Sequence, residues 1–97
     1  MPVKVISRRV FRVDRKDALV VLLKRLRKNA EKQEGFMSRA SYSNLKDPGE
    51  CVVISEWKTV DHWIRWKDKD KVKKLQAKID SLIGEKTVFD VFVPEKF

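Results

Sequence analysis

Ile54-Ser55-Glu56-Trp57-Lys58-Thr59-Val60-Asp61-His62-Trp63-Ile64-Arg65-Trp66 holds all three tryptophans of the chain. Its first half continues the apolar run Cys51-Val52-Val53 and reads as the end of a buried strand. Its second half places Val60, Trp63, Ile64 and, beyond it, Lys67 at helical spacing. Thr59 supplies an N-cap, and Asp61 sits in the first turn, where the helix dipole favours an acid. A central strand therefore runs straight into an amphipathic helix. Trp57 reads as core at the strand end and Trp63 as core in the inward stripe. Trp66 lies about 60° around the helix from Trp63, on the flank of that stripe, where a pocket wall would stand.

Working outward, Val3 to Val13 is a β-branched and aromatic run bounded by Asp14, and it predicts the first strand. Val3, Val5, Ser7, Arg9, Phe11 and Val13 share one face, and Ile6 and Val10 share the other with Lys4, Arg8 and Arg12. Asp14 is the expected N-cap of a helix reaching Gln33, with Leu19, Leu22, Leu23, Leu26 and Ala30 inward and Gly35 as its stop. Phe36 to Ser43 predicts the second strand, with Phe36, Ala40 and Tyr42 alternating against Arg39, Ser41 and Ser43. Asn44 to Gly49 is a turn. Glu50 to Trp57 is the third and most apolar strand. Lys67-Asp68-Lys69-Asp70-Lys71 has no apolar anchor and predicts a break in the last helix. Periodicity resumes at Val72, Leu75, Ile79, Leu82 and Ile83, and Gly84 ends it. Thr87 to Val93 is the last strand.

The order β-α-β-β-α-β is that of an α+β, ferredoxin-like fold: a four-stranded antiparallel sheet with its helices on one face. Residues 1–97 are read as a single domain. The helix-free face would leave Ile6, Val10 and Ile54 in water, so a homodimer joined sheet to sheet is expected.

The formal charge of +9 would attract an anionic partner. Its cations are spread over several elements and interrupted by Asp61, Asp68, Asp70 and Asp80, without a basic tail or base-stacking motif. Nucleic-acid binding is therefore ranked below a solvated surface. Cys51 is the only cysteine, which excludes an intramolecular disulfide. The first residues lack a leader's apolar stretch, and no run is long enough to span a membrane, so a cytoplasmic location is expected.

Gly35-Phe36 opening the second strand, Ile54 to Thr59 closing the third, and Trp63 and Trp66 in the following helix resemble the antibiotic biosynthesis monooxygenase family. The resemblance covers nearly the whole chain. It implies a dimeric α+β barrel and, for part of the family, cofactor-independent oxygenation of phenolic or quinol-like compounds. Other members degrade haem, using an asparagine, a tryptophan and a histidine. The resemblance puts Ser7, Trp66 and Gln76 at those positions. A glutamine does not replace imidazole as a haem ligand, so haem degradation is not expected and no cofactor is assigned.

The residues assigned to substrate binding are Trp66, Ser7, Arg9 and Tyr42, with Trp57 and Phe36 as further candidates for an aromatic wall. The competing function is a non-catalytic dimeric module that holds a small aromatic or anionic ligand. Arg9 among core residues either meets a ligand's charge or snorkels to solvent. His62 falls opposite the inward stripe and is expected to be exposed or at a subunit contact. A single histidine without ligating neighbours makes no metal site. No phosphate loop, nucleophile elbow or HExxH occurs.

Overall fold

The first strand, β1 (Val3–Val10), pairs antiparallel with two neighbours, so it lies inside the sheet. The computed structural model describes residues 1–11 and 16–97. The expected strand end at Val13 and the Asp14 cap lie outside the described residues. The chain continues through α1 (Lys16–Glu31), β2 (Phe36–Ser43), β3 (Glu50–Trp57), α2 (Val60–Lys67), α3 (Asp70–Ile83) and β4 (Val88–Phe92). The sheet order is β2-β3-β1-β4, all antiparallel, which is the ferredoxin-like arrangement.

Each helix boundary has a local cause. The Thr59 hydroxyl accepts from the His62 amide and starts α2. Lys69 adopts an extended conformation and separates α2 from α3 within the charged run. Gly84 ends α3 in the left-handed region at φ 85°, where a Cβ would be strained. α1 ends at Glu31, and Gly35 takes the left-handed region at φ 87° in the turn that follows, directly before β2.

Paired residues of an antiparallel ladder share a face. Val3, Val5, Ser7 and Arg9 of β1 therefore stand with Trp57, Ser55, Val53 and Cys51 of β3. This is the helix-covered face. Its Val3, Val5 and Trp57 form one buried cluster with Leu19, Leu26 and Ala30 of α1, Trp63 and Trp66 of α2, and Val72, Ile79 and Ile83 of α3. Each fully buried side chain of this size contributes about 1.5–3 kcal/mol from apolar burial.

Two sequence expectations need correction. In α2, Trp63 and Trp66 are buried, whereas Val60 and Ile64 are 36% and 38% exposed. The helix turns its two large rings inward at the expense of its smaller aliphatic residues. In β2, the ladder slips between Phe36, opposite Trp57, and Ser38, opposite Glu56. Met37 is the extra residue of this bulge, and a bulge inverts the alternation beyond it. Phe36 stays on the helix side, but Ala40 and Tyr42 pass to the helix-free face and Arg39, Ser41 and Ser43 take their place.

Candidate functional site

Between the sheet and the helices lies a cavity of about 300 Å³. Its aromatic side is built from the motif that decided the fold. Trp66 lies against Trp57 with ring centroids 5.5 Å apart and planes tilted by 30°. Phe36 meets Trp57 edge-on at 5.5 Å and 88°, the arrangement in which a positive ring edge meets a negative face. Trp63 packs on Phe89 at 5.8 Å. Two indole nitrogens are satisfied within the protein: Trp57 Nε1 donates to Ser55 Oγ at 3.1 Å and Trp66 Nε1 to Asn29 Oδ1 at 3.0 Å. The two rings are thus locked from opposite sides, one by the sheet and one by α1.

The polar corner is built around Arg9, which is 5% exposed. Its Nε donates to Thr87 Oγ1 at 3.0 Å and its Nη2 to Gln76 Oε1 at 3.1 Å. Gln76 Nε2 donates in turn to Thr87 Oγ1 and to Asp80 Oδ1, both at 2.8 Å. The Thr87 hydroxyl and amide donate to the same Asp80 oxygen at 2.7 and 3.2 Å. The carboxylate that offsets Arg9 therefore acts through two neutral side chains. Burial lowers the Arg9 pKa to about 10, with Asp80 opposing the shift and Arg39 adding to it. Nη1 carries no hydrogen bond among the described residues.

Ser7, Arg9 and Trp66 all line this cavity. Ser7 stands opposite Val53 and Phe89, on the same side as Arg9. Tyr42 borders the cavity, but its register partner is Val52 on the helix-free face, and it is 54% exposed. Phe36 and Trp57 lie in the wall. His62 is not simply exposed. It is half-buried over Gly35, with Nδ1 2.7 Å from the Thr59 hydroxyl, and serves the α2 start.

Asp80, Thr87, Asn29 and Arg39 escaped the sequence reading as polar members of this region, and Gln76 entered it only at the position the resemblance gives to a histidine. Gln76 and Asp80 did leave a trace. They are four residues apart on α3, beside the inward Leu75 and Ile79, the spacing at which helical side chains meet. Thr87 left none, because its role depends on where β4 docks. Among the described residues, no cluster of His, Cys, Asp or Glu is arranged to hold a metal ion.

The family's sequence profile matches residues 2–78. The chain belongs to the antibiotic biosynthesis monooxygenase family. The family match covers β1 through most of α3, including Ser7, Arg9, Trp66 and Gln76, and stops short of Asp80 and Thr87. Solved structures agree in fold. A conserved protein from Methanosarcina mazei superposes with TM-score 0.87 at 17% identity, covering 98% of this chain and 94% of that one. Rv0793 from Mycobacterium tuberculosis gives 0.84 at 22%, covering 100% and 98%. SnoaB, a cofactor-independent oxygenase from Streptomyces nogalater, gives 0.83 at 14%, covering 99% and 95%. No curated protein matches the sequence significantly. No helix among the described residues is long and apolar enough to cross a membrane.

Proposed function

We propose that this protein is a cofactor-independent monooxygenase of small quinol-like aromatic compounds, working as a homodimer. The observation that carries the reading is a buried guanidinium at one end of an aromatic-walled cavity, with Nη1 free of protein hydrogen bonds among the described residues. A substrate ring lies along Trp57 and Trp66. Its hydroxyl meets Arg9, whose charge favours the phenolate over the phenol. Ser7 stands on the same face to donate a further hydrogen bond. The phenolate delocalises its charge onto a ring carbon, and that carbon reduces dioxygen and bonds to it. The hydroperoxide then loses water. For naphthalene-1,4-diol the sum is diol plus dioxygen to 2-hydroxy-1,4-naphthoquinone plus water. All four electrons come from the substrate, so no external reductant enters.

The described lining residues include no carboxylate or imidazole to accept the first proton. That observation favours the second reading, a non-catalytic dimeric module that binds the same class of ligand. Labelled dioxygen separates the two. An oxygenase incorporates one labelled atom into the naphthoquinone and releases the other as water. Spontaneous oxidation gives unlabelled 1,4-naphthoquinone and peroxide. Label incorporation that disappears in Arg9→Met supports the oxygenase. Binding of the diol with only unlabelled quinone formed leaves the binding module.

A further inference from the structure

The lining of the cavity has a one-sided charge. Arg9 lies in its polar corner, Arg39 comes from β2, and Lys24 and Arg27 come from α1. No aspartate or glutamate lines it among the described residues. Arg39 is half-buried and its Nη2 donates to Ser41 Oγ at 2.7 Å, which fixes the guanidinium on the cavity face. Burial lowers the Arg39 pKa, Arg27 lowers it further and Glu31 opposes both. Glu31 acts on Arg39 from α1, but it is bound sideways, to Arg27 Nε at 3.7 Å along the helix. Arg9 and Arg39 also repel each other. Arg9 and Arg39 are thus partly desolvated cations in a cavity whose described lining holds no acid, and an anion bound there relieves that cost.

Arg9 and Arg39 occupy different ends of this space. Their register partners on β3 are Cys51 and Ser55, which separates their backbones by about 13 Å along the strand. They also stand on opposite sides of β3. One anionic group on a small ring satisfies only one of them.

We infer that the ligand of this cavity is an aromatic acid with two acidic ends: a hydroxyl that meets Arg9 and a carboxylate, on the far side of the ring system, that meets Arg39 and Arg27. The inference rests on the proposed use of this cavity as the substrate site, and it narrows the substrate to one class. A carboxylate suits Arg39 because the planar guanidinium presents paired donors. Between the two ends the cavity floor is Ser7, Val53 and Ser41, and the aromatic body lies over them with Trp57 and Trp66 walling the Arg39 end.

The test is calorimetric titration with 6-hydroxy-2-naphthoate, its methyl ester and 2-naphthol. The acid binds about tenfold or more tightly than the ester, as expected for a charge-assisted hydrogen bond. In Arg39→Gln the acid-to-ester ratio falls toward one, and in Arg39→Lys it is largely kept. Added salt lowers the ratio. Equal binding of acid and ester by the unaltered protein overturns the inference, and so does a ratio that survives the Arg39→Gln, Arg27→Gln double variant. Circular dichroism verifies that each variant is folded. The labelled-dioxygen measurement keeps the two failures apart. Label incorporation from the diol with no preference for the acid defeats this inference alone. An Arg39-dependent preference for the acid without incorporation defeats the oxygenase reading alone.

Discussion

Arg9 sits in a buried position at an energetic cost. Its folded-state pKa of about 10 lies below that of an exposed arginine. Between those values the unfolded chain binds the extra proton, so stability rises with pH across that window. Below about pH 10 the full cost is present, roughly 3 kcal/mol by linkage. Arg9→Met keeps the length of the side chain and removes the charge. Asp80 retains Thr87 and Gln76 as partners. The variant is expected to gain about 1–2 kcal/mol in urea unfolding at pH 7, with the advantage shrinking above pH 10, while binding of aromatic acids collapses. A loss of stability at pH 7 would mean that the hydrogen bonds to Thr87 and Gln76 outweigh the desolvation. At this scale the sequence was partly legible. Arg9 stood out because an arginine between Ser7 and Phe11 on a core-facing register needs a reason. Thr87 and Asp80 did not, because a threonine and an aspartate gain meaning here only from tertiary proximity.

The elements were more legible than their inner geometry. Capping at Thr59, the break in the charged run after Lys67 and the stop at Gly84 all follow from local chemistry, which acts within a few residues. The bulge at Met37 does not. It contains no glycine and leaves the hydrophobic alternation of Phe36, Ala40 and Tyr42 looking regular, yet it exchanges Tyr42 for Arg39 on the helix side. Gly35, immediately before it, is a different matter: the sequence marked it as a turn residue, though α1 already ends at Glu31, and its neighbour was not readable. A Cβ on Gly35 would collide with the His62 ring. Gly35→Ala therefore carries two penalties: the left-handed backbone, about 1–2 kcal/mol, and displacement of the imidazole from Thr59. A total of about 2–4 kcal/mol is expected, with His62→Ala restoring only the steric share in a double-mutant cycle. Full recovery in that background would show that φ is not the constraint.

For the molecule as a whole, the helix-free face carries Ile6, Val10, Val52 and Ile54, half-buried in one protomer, beside Tyr42, Val88 and Phe92, which are 54%, 51% and 54% exposed. Apolar area of this kind, interleaved with the Arg8–Glu50 and Arg8–Asp90 pairs, suits a second copy meeting it face to face. Light scattering at micromolar concentration is expected to give twice the monomer mass, and Ile54→Lys to return the protein to the monomer. A monomer at that concentration would leave the face without a partner. The need to cover this face was readable from β1 alone, because Ile6 and Val10 alternate with charges there. The cavity on the opposite face was less so, because it arises where three helices fail to fill the space over the sheet. The hydrogen bond between Arg9 and Thr87 spans 78 positions, and that span has a meaning in time. At translation rates of roughly 5–20 residues per second, the ribosome needs about 4–16 s to make the intervening chain. Throughout that interval the nascent protein owns a cation without its full set of neighbours. The binding corner is among the last features to mature, after the tryptophans it faces have already been synthesised.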